Sequence, residues 1–276
     1  MKQMLIPTDF SACASHAAEL GFAMAELFEA KVHLFTQIEL PSNWESLSPE
    51  EQKKNPEALQ RIHNAEVLMK EWVEKAQQWN IPIVKRIAGG PLTKAIEAYA
   101  EKESIDFIVM GSHGASGKNE FFIGSNTQKV VRTLHLPVLV VKEPQEDFQI
   151  KKVVFASNFG EQDKPAFRYF LEFVKSFQPE IHLVAINTSG FFSQPYVLVK
   201  SSMADYEAMA KPLVCKSHFY RDFSVDAGIR NLSEEIGAQL IGISNQNRQP
   251  LKRMLVGSNV EALVNHADIP VLSIDF

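Results

Sequence analysis

The feature that most constrains the fold is that this chain carries one plan twice. Lys2-Gln3-Met4-Leu5-Ile6-Pro7-Thr8-Asp9-Phe10 is matched by Lys151-Lys152-Val153-Val154-Phe155-Ala156-Ser157-Asn158-Phe159. Each is an apolar run closed by a small hydroxyl residue, an Asx and a phenylalanine. Gly124-Ser125-Asn126 returns as Gly257-Ser258-Asn259, and Pro137-Val138-Leu139 as Pro270-Val271-Leu272. Of the 19 positions from Gly124 to Lys142, seven are identical in the later copy. Self-similarity in fixed order means two units built alike. The 276 residues leave room for two domains. The polar, proline-punctuated stretch Glu143-Pro144-Gln145-Glu146-Asp147 is the expected linker, giving domains 1–145 and 146–276. The first copy is 16 residues longer between its Asx and its Gly-Ser, and the Pro-, Ser- and Glu-rich stretch 38–56 supplies most of the excess.

Within each copy, short apolar runs alternate with helical patterns. The first is expected to place strands at Met4–Thr8, Val32–Gln37, Ile83–Ala88, Asp106–Met110 and Pro137–Lys142. Between them lie an Ala-rich helix that Ser11 can cap, a long amphipathic helix from about Glu57 to Trp79, and helices at Leu92–Glu101 and Ser125–Leu134. The second copy repeats the order with strands at Val153–Ser157, Ile181–Asn187, Leu213–His218, Leu240–Ile243 and Val271–Ile274. Strands separated by helices require crossover connections, and so a parallel sheet covered on both faces. The fold expected is α/β: two tandem, doubly wound, five-stranded parallel sheets.

The chemistry gathers where such sheets bind ligands, beyond the carboxyl ends of their strands. The fourth strand ends in Gly111-Ser112-His113-Gly114, and nine residues later Gly124-Ser125 opens a helix. Glycines let backbone N–H groups come close to phosphate oxygens, and a helix start adds unpaired N–H groups and a positive dipole end. Asp9 ends the first strand on the same edge, where a carboxylate can accept from a ribose hydroxyl or help hold Mg²⁺. The pattern is neither a Walker A loop nor a dinucleotide fingerprint.

Pro7-Thr8-Asp9, Gly-x-x-Gly-x₉-Gly-Ser and the closing Pro-Val-Leu-Val-Val together resemble the ATP-binding branch of the universal stress protein family. The resemblance covers essentially all of residues 1–142, and residues 151–276 resemble a second copy. It implies an adenine nucleotide alpha hydrolase-like fold and ATP or another adenine nucleotide as ligand, with Mg²⁺ a candidate companion. By the same resemblance Asp9 contacts ribose, Pro7 and Thr8 pack against adenine, Gln37 lends backbone atoms to the adenine edge, and Met110 belongs to the same strand end. The phosphates fall to Gly111, Gly114, Gly124, Ser125 and Asn126, with Lys118 as a further candidate. Single-domain members resemble dimers joined through the closing strand. An apolar edge strand is an association hazard. The two copies are therefore expected to form an intramolecular pseudo-dimer through Val138–Val141 and Val271–Ile274.

The second copy departs from the pattern: Asp9 becomes Asn158, and the loop glycines become Ser244 and Asn247, while Gly257-Ser258 remains. Its site is expected to be degenerate. Arg248, Lys252 and Arg253 in that loop read as solvated. A formal charge of 28 − 33 = −5 lacks the basic footprint of a nucleic-acid binder, and no apolar run is long enough for a membrane span. A cytoplasmic location is the expectation. Eight histidines show no metal-ligand spacing, and Cys13 and Cys215 cannot make a disulfide framework. No residue pair reads as nucleophile and base. A nucleotide-binding regulatory protein with an unnamed protein partner is favoured over a nucleotide-independent scaffold or a weak ATPase. Pairing of whole chains into a homodimer stays open. The mixed-charge segment 49–54 is solvated and stands where a cover over the nucleotide site would be.

Overall fold

A computed structural model describes residues 1–114, 123–145, 149–188, 196–244 and 259–275. The first copy supplies β1 (Gln3–Pro7), β2 (Lys31–Gln37), β3 (Ile83–Ala88), β4 (Phe107–Gly111) and β5 (Val138–Val141). The second supplies β6 (Lys152–Ala156), β7 (Glu180–Asn187), β8 (Cys215–Arg221), β9 (Leu240–Ser244) and β10 (Val271–Ile274). All ten join one sheet in the order β3-β2-β1-β4-β5-β10-β9-β6-β7-β8. Each half is parallel throughout. The halves meet antiparallel, with Val138, Leu139 and Val140 opposite Ser273, Leu272 and Val271. The expected pseudo-dimer is thus one continuous sheet, and each half covers the apolar edge the other would leave open.

Strand β8 starts later than the sequence pattern suggests. The Leu213 N–H bonds the Ala210 carbonyl, so Leu213 belongs to the turn before it, and pairing with β7 runs from Cys215 to Arg221.

Helices cover both faces. Helices α1 (Ala12–Phe28), α3 (Pro56–Lys75), α6 (Lys164–Val174) and α7 (Tyr196–Ala210) pack on one side. On the other lie α4 (Leu92–Glu103), α5 (Ser125–Thr133), α8 (Val225–Ile236) and α9 (Asn259–His266). Each apolar cluster runs unbroken through both halves. Phe28 of α1 stacks edge-on against Phe173 and Phe177 of the second half, at 5.6 and 5.9 Å, and Phe107 meets Phe173 at 5.5 Å. Such pairs contribute about 0.5–1.5 kcal/mol each beyond area burial. No described helix is long and apolar enough to cross a membrane.

The insertion at 38–56 is more ordered than its composition suggests. Ser48 and Glu51 form a capping box that starts the short helix α2 (Pro49–Lys53). Trp44 is buried, Gln52 donates to its carbonyl, and Glu45 pairs with Arg86 of β3 at 3.0 Å. These contacts hold the insertion over α3 and the β3 edge of the sheet. None of its residues reaches the cleft described below, so the expectation of a cover there is corrected.

Candidate functional site

Strand β1 sits at the centre of its half, with β2 on one side and β4 on the other. Chain connections leave in opposite directions from β1 and β4, which opens a crevice between their carboxyl ends. The cleft there is lined by Pro7, Thr8, Asp9, Ala14, Gln37, Leu92, Met110, Gly111, His113, Gly114, Gly124, Ser125, Asn126 and Thr127. All ten residues singled out from the sequence stand in this one cleft, although they come from four separate stretches of chain.

The turn after β1 is built by its own side chains. Thr8 is buried, and its hydroxyl accepts from the Phe10 N–H at 2.9 Å. Phe10 is thereby held at φ 63°, a left-handed conformation uncommon for a bulky residue. Its ring packs on Trp72 at 5.6 Å. The same turn recurs in the second half, where Ser157 Oγ accepts from the Phe159 N–H at 2.9 Å and φ is 56°. The repeated hydroxyl-Asx-Phe motif therefore encodes a turn, and the Asx is carried outward by it. Asp9 is exposed at the rim, with its Oδ1 accepting from the Ser11 N–H at 3.1 Å. Ser11 Oγ in turn caps α1 by accepting from Ala14 N–H.

The glycines divide by role. A Cβ added at Gly111 would lie 2.9 Å from the Cys13 carbonyl carbon, so this glycine lets α1 approach β4 whether or not a ligand is present. A Cβ at Gly114 would lie 2.3 Å from Asp9 Oδ2, so the loop backbone comes closer to that carboxylate than a side chain allows. The Gly124 N–H is already committed to the Ser112 carbonyl at 2.8 Å. The donors left for a ligand lie one step further on. The first intrahelical bond of α5 runs from Gln128 N–H to the Gly124 carbonyl, and Gly124 as N-cap offers no side chain. The amides of Ser125, Asn126 and Thr127 therefore precede the helical ladder and face the cleft. Thr127 Oγ1 donates to the Gly111 carbonyl at 2.8 Å and ties this helix start to the end of β4.

Three lining residues escaped the sequence reading of the site: Ala14, Leu92 and Thr127. His113 of the glycine loop stands in the wall as well. Its Nδ1 lies 2.9 Å from Ser112 Oγ, which orients the ring. Ala14 was findable, because the repeat places Asp163 at its counterpart. Cys13 is buried, its Sγ turned to Ser112 Oγ and the Val141 and Lys142 carbonyls. Lys118, Asn247, Arg248, Lys252, Arg253, Gly257 and Ser258 lie outside the described residues.

In the second half Asn158 follows the same turn, and Ile186 stands in the place of Gln37. Ser244, the counterpart of Gly111, donates through Oγ to Asp163 Oδ1 at 2.9 Å. Asp163 is 4% exposed, and its other oxygen accepts from the Gly160 N–H at 3.3 Å. A bonded serine–aspartate pair thus stands at the positions that Gly111 and Ala14 hold in the first half.

The family model described as the universal stress protein family matches residues 1–142 and again residues 149–274. The chain belongs to the universal stress protein family. It is a tandem member, with two copies of the family domain in one sheet. Universal stress protein MJ0531 of Methanocaldococcus jannaschii is 29% identical over 154 residues, 53% of this chain and 85% of that protein. A universal stress protein structure from Archaeoglobus fulgidus overlies 99% of this chain and 96% of its own, with TM-score 0.72 and 20% identity. One from Pseudomonas aeruginosa overlies 100% of this chain and 93% of its own, with TM-score 0.69 and 13% identity. At those identities the two structures bear on the fold alone.

Proposed function

We propose that residues 1–145 form a domain that binds one ATP, or another adenine nucleotide, as a regulatory ligand. Residues 146–276 then form a second domain whose own site is degenerate. The observation that carries this reading is the convergence of Pro7, Thr8, Asp9, Gln37, Met110, Gly111, Gly114, Gly124, Ser125 and Asn126 on one crevice at the switch point of the sheet. Pro7, Met110 and Leu92 offer an apolar wall for the base. Asp9 stands at the rim as an acceptor for ribose hydroxyls. The α5 amides and the positive end of its dipole favour phosphate oxygens.

Mg²⁺ would enter with the phosphates. Among the described residues no three His, Cys, Asp or Glu side chains gather to hold a metal, and Asp9 is the one carboxylate among the described cleft residues. Phosphoryl transfer needs a positioned base or a charge-stabilising finger in addition to a phosphate cradle. Occupancy rather than turnover is the function this arrangement supports, with a cytoplasmic protein partner reading the occupied state.

Protein purified without added nucleotide should release ATP or AMP on denaturation, identified by mass spectrometry. Stripped protein should bind ATP in the micromolar range by calorimetry. A stripped protein that shows no saturable binding would overturn the reading in favour of a nucleotide-independent scaffold.

A further inference from the structure

Helix α5, whose first turn faces the cleft, is gripped from the second half. Glu261 of α9 has a side chain only 5% exposed. Its Oε2 accepts from Gln128 Nε2 at 2.9 Å and from Arg132 Nη2 at 2.8 Å, and its Oε1 accepts from Arg132 Nε. The bidentate fork fixes direction as well as distance. One turn along α9, Asn265 Oδ1 accepts from the N–H of Ile123, the residue just before Gly124. The backbone entering the helix and the helix itself are therefore held by two side chains of the other copy.

Among the described residues the repeat shows this grip from one side. Gln128 and Glu261 occupy equivalent positions and touch each other across the pseudo-twofold. Arg132 and Asn265 are also equivalent, but the first donates to a carboxylate while the second accepts from a main-chain amide. Charge and direction thus run from the second copy onto the first copy's helix.

We infer that Glu261 and Asn265 are positioning residues for the first-half site, which is completed by the second domain acting across the interface. This rests on the nucleotide reading above for what the site binds, though not for the coupling itself. A phosphate-binding helix start must present its amides at hydrogen-bond distance, and a small tilt or slide of α5 moves all three together. A domain that has lost its own cradle then keeps a role, as the support of its neighbour's.

The test compares Glu261→Ala, Glu261→Gln and Asn265→Ala in the full chain with Val174→Ala, a core truncation in α6 far from the contact. Two readouts are taken: ATP affinity by calorimetry, and backbone amide shifts of Ser125, Asn126 and Thr127 in nucleotide-free protein. Glu261→Ala should weaken ATP about fivefold and displace all three amide signals. Glu261→Gln, which keeps one acceptor, should fall between it and the parent. Asn265→Ala should act in the same direction, and Val174→Ala should lower Tm with affinity and amide shifts unchanged. Amide shifts unmoved in both alanine variants at Glu261 and Asn265 would overturn the inference, as would an affinity loss in Val174→Ala equal to that in Glu261→Ala. A parent protein that binds no ATP, with the three amides still displaced by Glu261→Ala, would sink the nucleotide reading and uphold the coupling.

Discussion

The first and second halves place the same turn, the same crossing strands and the same helix layers around two equivalent points, and the described residues line those points differently. In the first, Ala14 presents only a methyl group to the cleft, and Gly111 lets α1 lie close on β4. In the second, the counterparts Asp163 and Ser244 bond each other at 2.9 Å, and Asp163 is further held by the Gly160 N–H. Tyr206 OH closes the same corner by donating to the Gly160 carbonyl at 2.6 Å. Burial pushes the Tyr206 phenol above its ordinary range, consistent with a hydroxyl kept as a donor. The sequence suggested that the second site had lost binding groups. The structure adds that a buried serine–aspartate pair, costly to leave half-satisfied, stands at the positions of Gly111 and Ala14.

The largest expected effect is the difference between the two halves. If each lost group, Asp9 to Asn158, Gly111 to Ser244 and Gly114 to Asn247, is worth ~1 kcal/mol, the second site binds over a hundredfold more weakly. Titration of the intact chain should give one adenine nucleotide per chain. Two equivalent sites would break the comparison outright. Next, Ala14→Asp brings the second half's carboxylate into the first cleft, beside the expected phosphates. Like-charge apposition and lost space should weaken ATP by more than about thirtyfold, with the fold retained by far-ultraviolet circular dichroism. Unchanged calorimetric affinity would show that a carboxylate at this position does not set the two halves apart.

Gly114→Val is expected to cost at least about tenfold in ATP affinity, or about 1.4 kcal/mol. Its side chain must displace the Asp9 carboxylate, which lies 2.3 Å from the position of the new Cβ. Because residue 114 lies outside the apolar clusters, Tm should change little. A collapse of Tm would mean that this glycine serves the fold.

The smallest effect concerns histidines at equivalent positions of β2 and β7. His33 is buried between Tyr99 OH at 2.8 Å and Gln3 Oε1 at 2.7 Å. His182 Nδ1 lies 2.8 Å from His218 Nε2, with Glu180 Oε1 2.8 Å from its other nitrogen. Burial lowers the pKa of all three histidines; Lys31 lowers His33 further, and His218 lowers His182 further. The neutral ring is therefore the native form. This stability is fully present above the unfolded value near 6.5 and is lost as pH falls through the lower folded values. Acidification should destabilise the protein in that window. His218→Gln, which removes the ring that would gain a charge opposite His182 on acidification, should reduce the loss by about 3 °C in Tm. An acid dependence equal to the parent's would assign it to other groups.

Much of this molecule was legible from residues alone, for identifiable reasons. Asp9, Gly111, Gly114, Gly124 and Ser125 could be found because each sits at or just beyond a strand end or at a helix start, where the chain pattern marks position. Pro7, Thr8, Gln37, Met110 and Asn126 came from the family resemblance. Pairing of β5 with β10 was also visible, because Pro-Val-Leu recurs as the apolar closing strand of each half, paired within that half along one edge only. The segment 49–54 is solvated as expected, but its mixed charge gave no sign of the Ser48–Glu51 capping box or of the anchoring of Trp44. Ala14 was missed because alanine in an alanine-rich helix carries no signal until its counterpart is seen to be aspartate.

What the sequence determined by itself was local and periodic: where strands and helices run, that the plan is written twice, and which residues stand at the carboxyl edge. Such features follow from side-chain spacing and backbone preference, which act within a few residues. Only the tertiary structure decided which glycine serves a ligand and which serves a helix crossing, because that depends on the atoms a missing Cβ would meet. It also decided that Asp163 and Ser244 bond each other in one half while Glu261 and Asn265 hold helix α5 and its approach in the other. Those contacts join residues 81 to 142 positions apart, and a linear reading holds no information on distances the fold alone brings to hydrogen-bond length.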